Sequence, residues 1–271
     1  MITITEKEFN QLARYIKDNY GINLKEEKKI LLIGRLHTVL AEHNLESFSQ
    51  YYQYLIGDRT GKAAITLINK ITTNHTYFMR ENNHFHYMRE NVLPSLANTI
   101  KDRDLRIWCA GCASGEEAYT IAMILDEFCQ REKLCWDKKL LATDISENVL
   151  SMAISGIYSK EQVSPLPDRW KKEYLKKYDE DNFVFIDKIK DEIVYRKFNL
   201  MDSIFPFKKK FHVIFCRNVM IYFDNDTKDK LICKFYDNME YGGYLFIGHS
   251  ESLNGGLGGF KYIMPSVYRK E

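Results

Sequence analysis

Residues 108–119 read WCAGCASGEEAY, and the passage from an apolar run through a glycine loop into an acid-led helical pattern decides what kind of sheet the chain builds. "LRIWCAG" has the short, apolar character of a buried strand, and "EEAYTIAMILDEFCQ" after it reads as a helix. Strand, tight turn and helix in that order open a parallel β-α-β unit. Gly111 and Gly115 bracket the turn, where backbone N–H groups can approach a ligand and the helix N-terminus favours negative charge. Yet Glu116 and Glu117 occupy the first helical turn. Two carboxylates suit a pyrophosphate poorly and suit a cation well, such as a ligand bearing an amine and a sulfonium. Plain complementation of the helix dipole accounts for one of these acids equally well. The loop does not match G-x-G-x-x-G.

The same alternation continues outward. "KKLLATDIS" is followed by the helical "ENVLSMAISGIY", "FHVIFCRN" by "TKDKLICKFYDNME", and "GYLFIGHS" by a glycine-rich turn and the terminal "FKYIMPSVYRK"; "DEIVYRKFNL" supplies a further strand. The expectation is a parallel sheet flanked by helices, with a ligand outside the carboxyl ends of the strands. Polar residues stand at those ends. Asp144 can accept both hydroxyls of a ribose, Asn199 and Leu200 can read an adenine edge through an amide and a backbone group, and Arg217 and Asn218 line the pocket. Together and in this order they spell an S-adenosylmethionine site. Upstream, residues 5–69 read as helices joined by polar turns. "EKEFNQLARYIKDNY" places Phe9, Leu12, Ile16 and Tyr20 near the 3.6-residue period, and Gly21 ends that helix. Lys28, Lys29 and Arg35 lie on or near one side of the next helix, where a solvated face is the plain reading.

Composition excludes several classes. With 271 residues, 45% hydrophobic and 14% aromatic, the chain can bury a large domain and a small one. Lys+Arg 39 against Asp+Glu 37 leaves a formal charge of +2, far from the strongly basic balance of a nucleic-acid binder. No apolar run approaches about 18 residues, and "MITITEKEFN" lacks a signal peptide's features, so a cytoplasmic protein is expected. The six cysteines sit mostly in apolar segments, as buried reduced thiols do. Cys109 and Cys112 form a C-x-x-C, but a closed zinc site needs four ligands and no second knuckle follows. His84 and His86 read as ordinary helix residues, without an acidic or cysteine partner at ligand spacing. No metal is expected.

"TTNHTYFMR", "WCAGCASGEEAY", "LLATD", "FNL", "CRNVMIYFDN" and "IGHSESL" resemble the successive motifs of the chemotaxis receptor methyltransferases, the CheR family. The resemblance spans essentially the whole chain. It implies a class I methyltransferase, with a Rossmann-like α/β sheet, an N-terminal all-helical domain and a small antiparallel β excursion. The expected division is 1–70 for the helical domain, 71–82 for an interdomain segment contributing to the cofactor site, and 83–271 for the methyltransferase domain, with the excursion at about 158–194. In some members that excursion docks a receptor's tail peptide. The family transfers a methyl group from S-adenosylmethionine to glutamate side chains of membrane chemoreceptors, leaving S-adenosylhomocysteine. Carried over, Asn74, Thr76 and Arg80 contact the cofactor, Glu117 and Asp144 hold its polar groups, Asn199 and Leu200 its adenine, and Arg217 and Asn218 the floor. Arg80 and Tyr222 face the reaction centre, and Lys28, Lys29 and Arg35 meet the receptor. The implied protein is a monomer that binds the cytoplasmic helical region of chemoreceptors and neither nucleic acid nor the membrane interior. Ala118 departs from the proline that commonly follows the two glutamates, and the basic helix carries fewer charges than in some members. The alternatives are a class I methyltransferase with another acceptor, and a non-catalytic cofactor-binding scaffold.

Overall fold

The computed structural model describes residues 2–253 and 259–271; the glycine-rich turn expected after "GYLFIGHS" lies largely at 254–258, outside the described residues. The chain opens with α1 (Glu6–Tyr20). Thr5 and Glu8 form a capping box at its start, and Gly21, at φ 72°, ends it in the left-handed conformation. A 3₁₀ turn, Glu26–Lys28, precedes α2 (Lys29–Glu42), so the lysines expected inside the helix sit at its entry. Next come α3 (Phe48–Gly57) and α4 (Lys62–Ile71). Leu12, Ile16, Leu36, Leu40, Tyr51 and Leu67 make a core of their own between these helices. An extended stretch leads into α5 (Asn83–Tyr87), a π-helical turn at Met88–Val92 and α6 (Leu93–Thr99).

The sheet begins at β1 (Ile107–Ala110), followed by α7 (Glu116–Arg131), β2 (Leu140–Asp144) and α8 (Glu147–Ser155). The excursion follows, with β3 (Ile157–Ser159), α9 (Asp168–Tyr174), β4 (Leu175–Lys177), β5 (Asn182–Phe185) and α10 (Asp187–Lys190). Its strands form a separate antiparallel sheet in the order β3-β5-β4. The chain then returns through β6 (Ile193–Lys197), β7 (Phe211–Cys216), α11 (Asn225–Asp237), β8 (Met239–Ile247), β9 (Phe260–Met264) and β10 (Val267–Lys270). The main sheet runs β6-β2-β1-β7-β8-β10-β9.

The order places the site. From β1 the chain builds toward β6 on one side and then jumps to β7 and β8 on the other, so the switch point of the sheet lies between β1 and β7, which pair in parallel. A crevice forms outside the carboxyl ends of strands at such a reversal. Along β1, Ile107 and Cys109 face the core shared with α7, while Trp108 and Ala110 face the core shared with α11, the two-residue alternation of a strand buried on both faces. The expected parallel sheet needs one correction. β10 is antiparallel to both β8 and β9. Only Pro265 and Ser266 separate Met264 from Val267, and a connection that short can join only antiparallel strands.

The helical part is hydrogen-bonded to the sheet at several places. Ser146 Oγ donates to Asn69 Oδ1 at 2.7 Å, Asn23 N–H to the Tyr222 carbonyl at 2.8 Å, and Lys17 pairs with Asp224 at 2.7 Å. Among the described residues no helix is long and apolar enough to cross a membrane.

Candidate active site

A pocket opens at the carboxyl ends of β1, β2 and β7, roofed by the segment 71–77 and bordered by Arg80, Gly111, Cys112, Glu117, Asp144, Asn199, Leu200, Arg217, Asn218 and Tyr222. Asn74 and Thr76 lie in that roof. The sequence-predicted cofactor residues, from the extended stretch and from beyond the ends of β1, β2, β6 and β7, are therefore brought together around one cavity. The glycine loop forms because its backbone demands glycine: Gly111 has φ 85°, and a Cβ there would strike Val219.

Asp144 ends β2 with 8% exposure, and its two oxygens accept Ala113 N–H at 2.9 Å and Ser146 N–H at 3.0 Å. Burial raises its pKa in spite of those hydrogen bonds. Each oxygen keeps a further lone pair for a hydroxyl.

The acidic helix start divides in two. Glu117 borders the pocket, while Glu116 is turned inward at 2% exposure and accepts from Ser114 Oγ at 2.7 Å. The expected pair of ligand-facing carboxylates is therefore a single one, because the first turn of α7 points successive side chains about 100° apart. Glu117 accepts from Arg217 Nη1 at 2.6 Å and from Cys109 Sγ at 3.2 Å. Burial pushes the Cys109 thiol well up, so it is a neutral donor. As expected, most of the cysteines are buried, namely Cys109, Cys112, Cys129 and Cys216; Cys135 and Cys233 are exposed, on a loop and on the outer side of α11.

Arg217 is the most enclosed cation of the site, its side chain 2% exposed. It pairs with Glu117 and with Glu81 at 3.0 Å, donates to the Arg80 carbonyl, and lies 5.1 Å from the Phe85 ring centroid. Asn218 takes a positive φ of 58°. Glu251 explains how it is held: the buried carboxylate accepts from the backbone N–H groups of Asn218, Ile221 and Gly248, tying the ends of β7 and β8 together. Glu81 accepts from Asn218 Nδ2 at 3.2 Å and from His249 N–H. Glu251 lies in IGHSESL and Glu81 directly follows TTNHTYFMR, but their partners lie up to 168 residues away, a pairing that periodicity does not reveal.

Other expectations change in detail. Asn199 has one N–H of its amide donating to the Asn19 carbonyl at 2.8 Å and its Oδ1 accepting Met201 N–H at 3.0 Å, which fixes the side chain and leaves one N–H and one lone pair for a ligand. Arg35 is tied to the segment that roofs the pocket. Its guanidinium donates to the Ile71 carbonyl at 2.6 Å and to Thr73 Oγ1 at 3.0 Å, while Lys28 is exposed and Lys29 half-buried. Arg80 donates to the His75 carbonyl at 2.9 Å, and Tyr222 donates to the Thr73 carbonyl at 3.3 Å, both at the pocket's edge.

His84 is not an ordinary helix residue. It is fully buried with neither ring nitrogen hydrogen-bonded, its Nδ1 lies 3.8 Å from Glu81, and burial followed by the Arg217 charge lowers its pKa to about 4. Glu81, His84 and His249 offer potential ligand atoms within 4.8 Å of one another. Glu81 already carries the Arg217 guanidinium, and a further cation there would be repelled by it.

A mostly parallel sheet with a glycine loop after β1, an acid ending β2 and a crevice at the β1–β7 switch defines a class I S-adenosylmethionine-dependent methyltransferase. The description "CheR methyltransferase, SAM binding domain" matches residues 74–268, and "CheR methyltransferase, all-alpha domain" matches residues 7–72. The chain belongs to the CheR methyltransferase family. It is 43% identical over 272 residues to the chemotaxis protein methyltransferase of Borreliella burgdorferi, covering 99% of this chain and 96% of that protein. It is 33% identical over 257 residues to that of Vibrio anguillarum, covering 94% and 92%.

Proposed function

We propose that the protein transfers the methyl group of S-adenosylmethionine to glutamate side chains in the cytoplasmic helical region of membrane chemoreceptors, working as a cytoplasmic monomer that does not bind nucleic acid. The observation that carries this reading is the convergence of Arg80, Glu117, Asp144 and Tyr222 on one pocket in a chain whose near-full-length relatives are chemotaxis methyltransferases. The division into 1–70, 71–82 and 83–271 belongs to the same reading.

The donor set fits the cofactor. Asp144 would take the ribose hydroxyls and Glu117 the ammonium. The backbone at Asn199 and Leu200 would meet the adenine, and Asn74, Thr76, Arg217 and Asn218 would complete the walls. S-adenosylmethionine supplies a methyl group on a sulfonium sulfur, which departs as the thioether of S-adenosylhomocysteine. The acceptor needs no general base, because a glutamate with a pKa near 4.3 is already a carboxylate at neutral pH. One carboxylate oxygen forms the new bond to the methyl carbon as the methyl–sulfur bond breaks. The protein's contribution is alignment, for which orientation can supply roughly 7–11 kcal/mol. Arg80 holds the carboxylate by charge-assisted hydrogen bonds and Tyr222 fixes its second oxygen.

The test is transfer of labelled methyl to chemoreceptor fragments, followed by alkali. Release of the label as methanol is expected, since carboxyl esters hydrolyse. Label that survives alkali would point to a nitrogen acceptor and overturn the glutamate assignment. Absence of transfer with intact cofactor binding would favour the scaffold.

A further inference from the structure

Glu81 follows Arg80 directly and stands behind the pocket's lining, yet groups from two strand ends converge on it. Its carboxylate accepts from Arg217 Nη2 at 3.0 Å, from Asn218 Nδ2 at 3.2 Å and from His249 N–H at 3.2 Å. Its own backbone holds φ at 53°, a conformation that a side chain rarely adopts without such restraint. Burial raises its pKa, but Arg217, Asn218 and His249 more than offset this, so Glu81 is ionised at neutral pH. His84 behind it is neutral and adds no competing charge.

One buried guanidinium therefore lies between two carboxylates, of which only Glu117 borders the pocket. Two negative charges against one positive leave the trio with one surplus negative charge. Without the charge on Glu81, Arg217 would neutralise Glu117, and the pocket would lose its attraction for a cation. We propose that Glu81 is a positioning residue for the amino-acid end of S-adenosylmethionine: by sharing Arg217, it leaves Glu117 free to hold the cofactor's ammonium group. The proposal rests on the placement of Glu117 under the function proposed above. It assigns a task to a residue that touches neither cofactor nor acceptor.

The experiment measures calorimetric Kd for S-adenosylhomocysteine, which carries the ammonium, and for 5′-methylthioadenosine, which lacks the amino-acid end. The full chain, Glu81→Gln and Glu117→Gln are compared. Glu81→Gln is expected to weaken S-adenosylhomocysteine about tenfold, the scale of one charge interaction across a partly screened site, and to change 5′-methylthioadenosine less than twofold. Equal weakening of both ligands would mean a merely structural role and overturn the proposal, as would no change in either. Glu117→Gln separates the two levels of the argument. If it changes the ratio of the two affinities and Glu81→Gln does not, only the role of Glu81 fails. If Glu117→Gln leaves the ratio unchanged, the placement of Glu117 fails and the role of Glu81 with it.

Discussion

Asp144 has both oxygens already engaged by backbone N–H groups of the glycine loop and of the turn into α8. Truncation to alanine would free both of those donors and disturb the loop along with the ligand, whereas the isosteric Asp144→Asn keeps an acceptor for one of them and is the milder probe. Hydrogen bonds to a charged group are worth about 1.5–3 kcal/mol, and calorimetry should record a loss of cofactor affinity of roughly ten- to a hundredfold. Because burial raises the folded pKa of Asp144 above 3.8, its charged form disappears early as pH falls. Cofactor affinity should therefore be level at neutral pH and drop on the acid side before an ordinary aspartate would titrate. Its unpaired charge, by the same sign, costs stability above that raised pKa and nothing below about 3.8. Tyr222 makes a different prediction. Tyr222→Phe removes only a hydroxyl that donates to the Thr73 carbonyl, so it should lower single-turnover methylation without altering cofactor affinity or a profile that the ionised acceptor carboxylate keeps nearly flat from about pH 6 to 8. A rate rising tenfold per pH unit through 7 would instead reveal an acceptor that needs a base. Asp144 and Glu117 were legible because a strand-end acid and an acid-led helix are local signals. Glu81 and Glu251 were not, since their tasks exist only after β7 and β8 come together.

Among the elements, α1 and α3 are joined through one side chain. Glu8 completes the capping box with Thr5 and also accepts from Ser49 N–H at 2.7 Å and Ser49 Oγ at 2.8 Å. Burial opposes its charge, but the hydrogen bonds of Thr5 and Ser49 prevail and hold its pKa at about 2. A depressed carboxylate contributes stability that is complete above its unfolded value, near 4.5, and that is lost as pH falls toward 2. Glu8→Gln should lower unfolding stability by about 1–3 kcal/mol at pH 7, with the gap to the parent shrinking between pH 4.5 and 2 in denaturant titrations; a constant gap would mean the effect is steric. The box is a local pattern, Thr5 followed three residues on by Glu8, that the apolar period of α1 does not reveal, and the link to Ser49 is long-range. The extent of α1, by contrast, was readable from Phe9, Leu12 and Ile16. The antiparallel β9–β10 pair was hidden because its direction is set by a two-residue connection, while its short apolar runs look the same in either sense.

For the whole molecule, the helical part and the sheet meet at the roof of the pocket, and α2 reaches that roof through Arg35. Lys28 and Lys29 stand at its entry toward solvent, while Arg35, two turns on, is bound to the Ile71 carbonyl and Thr73. Tyr222 reaches the same segment through the Thr73 carbonyl. A stripe that looks uniform in sequence thus holds two kinds of cation, because folding brings the end of α4 against one of them. Lys28→Ala with Lys29→Ala should raise the KM for receptor, leave cofactor Kd unchanged, and reduce the salt dependence of methylation, since exposed charges are screened beyond about 10 Å at 0.1 M. Arg35→Ala should behave otherwise: loosening the roof, it should weaken cofactor binding and lower kcat at saturating receptor, with the salt dependence of KM retained. Should Arg35→Ala instead match the double lysine variant, raising only the receptor KM, its bonds to the roof would be incidental and the basic face would be one surface after all.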